Sequence, residues 1–144
     1  MVISNEVRGF VTEQRVARLA TVDVAGFPHV VPICFALAGD VLYSAIDEKP
    51  KRGDYTHLQR LRNITADPRV QVLLDEYDEG DWSRLRYVQL RGVARVIESG
   101  AEHSRAVSLL RARYRQYGTM ALESRPIIAV DVQRVVAWRA QPPP

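Results

Sequence analysis

A mainly β, α+β fold is expected of this chain: a six-stranded antiparallel barrel, closed or half-closed, with peripheral helices. Three observations lead there. Six short stretches rich in alternating apolar and β-branched residues run through the 144 residues. Turn residues at short spacing join the early ones as hairpins, and only two internal connections carry a helical period.

Ile3, Val7, Phe10 and Val11 recur at helical spacing, with Ser4 or Asn5 available as N-cap, so the chain opens with a short amphipathic helix. Arg15 to Val22 alternates and reads as the first strand. Asp23-Val24-Ala25-Gly26 is a hairpin turn in which Gly26 supplies the positive φ. Pro28 to Leu37 returns as the second strand. Pro32 within it cannot donate to a ladder, which implies an edge, a bulge, or backbone facing a ligand. Ala38-Gly39-Asp40 turns into the third strand, Val41 to Ile46. A cationic turn, Asp47 to Asp54, leads to a helix over about Tyr55 to Ala66, closed by Asp67-Pro68. Arg69 to Tyr77 is the fourth strand and Arg86 to Glu98 the fifth, where Gly92 marks a bulge or bend. A helix follows from Ala101 to Tyr117, with Val107, Leu110, Tyr114 and Tyr117 on one face and Gly118 in the C′ position. Pro126 to Trp138 is the last strand. One domain therefore covers residues 1–140, and residues 141–144 form a disordered tail.

A chain of this length can bury roughly 70% of its unfolded surface. Hydrophobic content of 47% and charged content of 26% are those of a soluble globular protein. No apolar run reaches the ~20 residues of a membrane span, and the N-terminus lacks a basic-then-apolar signal. The single cysteine, Cys34, excludes an intrachain disulfide framework, so a reducing cytoplasm is expected. An arginine-rich nucleic-acid binder is a further option, but aromatic content of 8% and a net charge of +3 argue against a strong electrostatic footprint.

The chain has eighteen arginines and two lysines, and both lysines, Lys49 and Lys51, sit in the cationic turn. With Arg52, Arg60 and Arg62 they outweigh Asp54, leaving +4 between positions 49 and 62. A basic turn delivered to a helix N-terminus is either an anion site for a phosphate or a solvated charge run. His29, His57 and His103 lack metal-ligand spacing, so no metal site is assigned. Neither G-x-G-x-x-G nor a P-loop occurs, and no serine or cysteine is near enough to a histidine to argue for a nucleophile. Asp75, Glu76, Asp78, Glu79 and Asp81 crowd one loop and read as a solvated acidic turn.

V-x-P-I-C-F on strand two, D-E-K-P-K-R after strand three, L-R-N-I-x-x-D-P-R-V into strand four, then D-W-S-R-L and R-Y-V-x-L-R-G occur in that order. Together they resemble the split β-barrel flavin- and deazaflavin-binding superfamily of pyridoxamine-phosphate oxidase-like proteins, over about Gln14 to Trp138. D-E-K-P-K-R and D-W-S-R-L resemble its branch of probable coenzyme F420-dependent enzymes. The resemblance implies an FMN-binding split-barrel fold, a homodimer with two cofactor sites at the interface, and a small-molecule substrate without nucleic acid or membrane. It implies that Lys49, Lys51, Arg52 and Arg60, with Arg62 and Asn63 as further candidates, hold the cofactor phosphate. The tricycle would lie along Val31, Pro32, Ile33 and Cys34 and along Ser44, Ala45 and Ile46. Trp82 would cover the site or the dimer seam, or else plug the loop it sits on. The cofactor would be F420, with FMN as the alternative, and the activity hydride transfer to or from an unidentified organic substrate. An FMN-dependent oxidase or reductase on the same fold and a protein that only binds or stores F420 remain alternatives. No catalytic acid or base is named, because in this class the cofactor carries the chemistry.

Overall fold

The computed structural model describes residues 1–47 and 55–141. Three helices, α1 (Asn5–Glu13), α2 (Gln59–Ala66) and α3 (Ala101–Arg113), surround one antiparallel sheet. Its strands are β1 (Ala17–Val22), β2 (Pro28–Ile33), β3 (Ala36–Ala38), β4 (Val41–Ala45), β5 (Arg69–Glu76), β6 (Arg86–Ile97) and β7 (Ile127–Arg139), in the spatial order β2-β1-β5-β6-β7-β4-β3. The expected split-barrel α+β class is the one found, with seven strands rather than six. The expected second strand, Pro28 to Leu37, breaks at Cys34-Phe35. Before the break it pairs with β1, and after it with β4. The chain thus leaves one edge of the sheet and reappears at the other, which curls the sheet into a half-barrel. Phe35 causes the break. It is fully buried, and its N–H donates to the Tyr114 hydroxyl at 3.0 Å instead of to a neighbouring strand. The other strands begin and end within two residues of their expected limits.

A bulge does occur at Gly92, on the strand it faces. Register passes from Arg91 opposite Arg134 to Gly92 opposite Val132, leaving Gln133 as the extra residue of β7. The first hairpin is also as read: Gly26 has φ 83°, and Asp23 Oδ1 accepts from the N–H groups of Ala25 and Phe27. Of the two N-cap candidates Ser4 serves, its Oγ accepting from the Val7 N–H at 3.2 Å.

Two helix expectations are corrected. Tyr55–His57 forms a 3-10 turn, Leu58 is extended, and α2 begins only at Gln59. α3 stops at Arg113, and Arg115–Thr119 is a 3-10 turn containing Gly118, which is therefore no C′ glycine. Long-range bonds divert the chain here. Arg113 donates to the carbonyls of Thr12 and Gln14, and the Tyr114 hydroxyl donates to the Arg15 carbonyl. Tyr117 then turns inward and is buried.

The barrel interior holds Leu19, Leu42, Val72, Leu74, Val88, Leu90, Ile128 and Val130, capped by Phe10 and Val11 of α1 and by Leu61 and Ile64 of α2. A second core lies outside the sheet, where Tyr43, Ala45, Ile127 and Ala129 meet Val107 and Leu110 of α3 together with Tyr117. Here β7 is covered on both faces, which is why its sequence opens as the unbroken apolar run Ile127-Ile128-Ala129-Val130 rather than alternating.

Candidate functional site

The break between β2 and β3 creates a pocket. Pro32, Ile33 and Cys34 at the end of β2, Ser44 and Ala45 at the end of β4, Arg60 in the first turn of α2, and Val16 and Asp47 line about 230 Å³. β2 is an edge strand, so Pro32, opposite Arg18, leaves no ladder bond unmade. The donor set is an apolar wall with a serine hydroxyl at one place and a guanidinium at another. That chemistry fits a planar ring bearing an anionic arm. Pro32, Ile33, Cys34, Ser44, Ala45 and Arg60, all singled out in the sequence, come together here although they derive from three elements.

Other sequence candidates lie elsewhere. Val31 packs against the barrel core, and Ile46 is fully buried within it. Asn63 is also buried. Its Nδ2 donates to Thr21 Oγ1 at 2.9 Å, and its Oδ1 accepts from Gln59 Nε2 at 2.6 Å. Arg62, two residues from Arg60, emerges on the other face of α2. Trp82 sits on a 3-10 turn (Trp82–Arg84), is 64% exposed, and does not line this pocket. Lys49, Lys51 and Arg52 lie outside the described residues. The acidic loop behaves as a solvated turn: Asp78 Oδ1 accepts from the N–H groups of Gly80 and Asp81, and Arg84 bridges Glu76 and Asp78.

Val16, Cys34 and Asp47 are shared with a second cavity of about 690 Å³. Arg15, Arg111, Arg113 and Arg115 line it, with Tyr114, Tyr117 and Met120. At the junction the Tyr117 hydroxyl donates to Asp47 Oδ2 at 2.9 Å, and Arg125 donates to the Asp47 carbonyl at 3.0 Å. Burial pushes the Tyr117 hydroxyl far above its usual range, and the Asp47 carboxylate adds to that. Burial likewise raises the Cys34 thiol, and the neighbouring Tyr117 side chain works against that. Both groups therefore hold their protons at neutral pH. Nothing in the sequence marked these arginines, which come from segments about a hundred residues apart.

A third cavity, about 870 Å³, lies on the far side of α2 between Leu61, Arg62, Thr65 and the end of β6. Its Arg95 is closed by two bonds to Glu102 and two to Asp131. It offers less unpaired charge to a ligand than the arginine-lined cavity.

An antiparallel half-barrel with a pocket lined from β2, β4 and α2 has the architecture of a split barrel. Residues 3–139 match the pyridoxamine 5′-phosphate oxidase family, and the chain belongs to that family. Among curated proteins no sequence matches. Solved structures share the fold. A conserved hypothetical protein from Mycobacterium tuberculosis is 24% identical, with TM-score 0.77 and coverage of 96% of this chain and 86% of that one. A heme binding protein from Mycobacterium smegmatis is 21% identical at TM-score 0.75, covering 92% of this chain but only 52% of its own, so this chain spans about half its length. A FAD-binding protein from Mesorhizobium loti is 23% identical at TM-score 0.68, with 92% and 91% covered.

Proposed function

We propose that the protein is a homodimeric, cytoplasmic oxidoreductase that uses coenzyme F420 to transfer hydride to or from a small organic substrate. The observation that carries this reading is the single pocket joining Pro32, Ile33, Cys34, Ser44 and Ala45 to Arg60. When bound, the deazaflavin supplies the hydride chemistry. The chain's own residues do the rest. Pro32, Ile33 and Ala45 give the ring an apolar face, the Ser44 hydroxyl offers one polar contact, and Arg60 offers charge-assisted bonds to a phosphate. The acidic tail of F420, which FMN lacks, favours the longer cofactor in a chain whose sequence carries Lys49, Lys51 and Arg52 shortly before Arg60.

At about 230 Å³ the pocket is below the roughly 300–1,000 Å³ of complete small-molecule sites, in keeping with half of a site shared between protomers. An apolar outer surface is available for that contact. Phe27 and Val30 are 72% and 60% exposed on the first hairpin, and Trp138 stacks on Tyr87 at 5.6 Å on the outer sheet. No helix among the described residues is long and apolar enough to cross a membrane.

A second reading, an FMN- or FAD-dependent enzyme, draws support from the FAD-binding protein of the same fold. Fluorescence titration with F420, FMN and FAD, with light scattering at micromolar concentration, separates the two. The proposal expects a dimer that prefers F420, with the preference shrinking as salt rises. A monomer, or a yellow protein carrying stoichiometric FMN and indifferent to F420, counts against it.

A further inference from the structure

We propose that the cavity lined by Arg15, Arg113 and Arg115 binds the carboxylate of an anionic organic substrate and holds the rest of that molecule against the ring pocket across Cys34. The substrate role rests on the oxidoreductase reading; the binding of a carboxylate does not.

The charge inventory carries the inference. Of the four guanidiniums in the cavity wall, Arg111 alone is neutralised, by a two-pronged contact with the Glu123 carboxylate. Arg15 donates to the Arg113 carbonyl at 2.7 Å, and Arg113 to the carbonyls of Thr12 and Gln14. Arg15 also lies over the Tyr114 ring, and Arg113 over the Phe35 and Tyr114 rings; these contacts fix the geometry of the two guanidiniums and bring no carboxylate to either. Arg115 is exposed and makes no hydrogen bond or ion pair among the described residues. Against these three cations the wall carries one carboxylate, Asp47, which already accepts the Tyr117 hydroxyl. A cavity of about 690 Å³ has the size of an organic ligand rather than of a bare ion. Val16 and Met120 give that ligand an apolar surface to rest on.

A carboxylate suits this place better than a phosphate. The cavity lies at the C-terminal end of α3, whose last residue is Arg113. The partial negative charge of that helix end opposes a dianion more than a monoanion, and a guanidinium fork matches a planar carboxylate. The position also favours a substrate over the cofactor's own tail. Arg60 lines the ring pocket and does not line this cavity, so the two cavities present different guanidiniums.

The test uses the dimeric or monomeric protein as purified, without cofactor, and two probes of one shape: naphthalene-2-carboxylate and naphthalene-2-carboxamide. Calorimetric titration should find the carboxylate bound at least tenfold more tightly, and the carboxylate should slow alkylation of Cys34, the chain's one cysteine. Arg115→Gln should weaken the carboxylate about tenfold and leave the amide and the melting temperature unchanged. Equal affinities for the two probes, or an Arg115→Gln protein that binds the carboxylate as before, overturns the proposal. Displacement of the carboxylate by F420 in proportion to its glutamate-tail length overturns the substrate assignment and gives the cavity to the cofactor. If the carboxylate binds as expected while F420 does not bind at all, the cofactor reading fails and the carboxylate site stands.

Discussion

Tyr117 donates its hydroxyl to Asp47 Oδ2 at 2.9 Å, tying the turn after α3 to the residue just beyond β4. This bond stands between the two adjoining cavities and beside Cys34, and it makes the thiol a reporter of both neighbours. Burial raises the Cys34 thiol above its usual 9.0, the neighbouring Tyr117 side chain lowers it, and the Asp47 charge raises it. Only the thiolate alkylates. Iodoacetamide at pH 8 should therefore react slowly with the wild type, faster with Asp47→Asn, and more slowly still with Tyr117→Phe. Mass spectrometry of the single cysteine reads all three rates, and shifts of the same sign in both variants would contradict this account.

Gly92 tolerates no side chain. A Cβ there would stand 2.3 Å from the Asp131 carbonyl oxygen and 3.0 Å from Val130 Cγ1, and a backbone atom cannot swing aside. Gly92→Ala should cost about 2 kcal/mol or more, because the bulge in β7 must shift to make room. Urea denaturation with an unchanged slope and a lower midpoint is the expected result.

That bulge shows what could be read from sequence and what could not. A glycine inside an alternating strand signals a bulge by itself, and the prolines and turn glycines punctuate the other strands equally well. The break at Phe35 escaped because its cause is the Tyr114 hydroxyl, 79 residues away. The early end of α3 escaped for the same kind of reason, since Arg113 and Tyr114 are held by the end of α1 and by Arg15. At the site, Pro32 and the β4 end announced themselves through local chemistry and family resemblance. The arginine-lined cavity did not, because Arg15 and Arg115 become neighbours only through tertiary packing, in a chain where arginine is the ordinary cation.

A charge network outside the pocket sets an acid limit. Arg95, and next the Tyr43 hydroxyl, hold the Glu102 carboxyl down from its usual 4.5 to about 2. A depressed carboxylate contributes stability above its unfolded pKa and loses it as pH falls through the folded value. The loss should thus fall between about pH 4.5 and pH 2. Partial exposure of all three charged partners keeps the effect modest. Glu102→Gln should flatten that part of the stability curve and leave the slope above pH 6 unchanged, as followed by urea midpoints.

Removing cations from the phosphate end should act on affinity and hardly on folding. If Arg60 and Lys51 hold the phosphate as proposed, Arg60→Ala and Lys51→Ala would each remove charge-assisted bonds worth roughly 1.5–3 kcal/mol and weaken F420 binding about tenfold or more. The melting temperature of the cofactor-free Lys51→Ala protein should barely move. Affinities within error of wild type for both variants would make the basic segment a solvated charge run.

The placement of the ring between β2 and β4 is the central claim, and a crystal structure of the protein soaked with F420 tests it most directly. The account predicts density for the tricycle against Pro32, Ile33 and Ala45, with the phosphate on the Arg60 side. Density for the ring in the cavity between α2 and β6, beside Arg62 and Arg95, would contradict it.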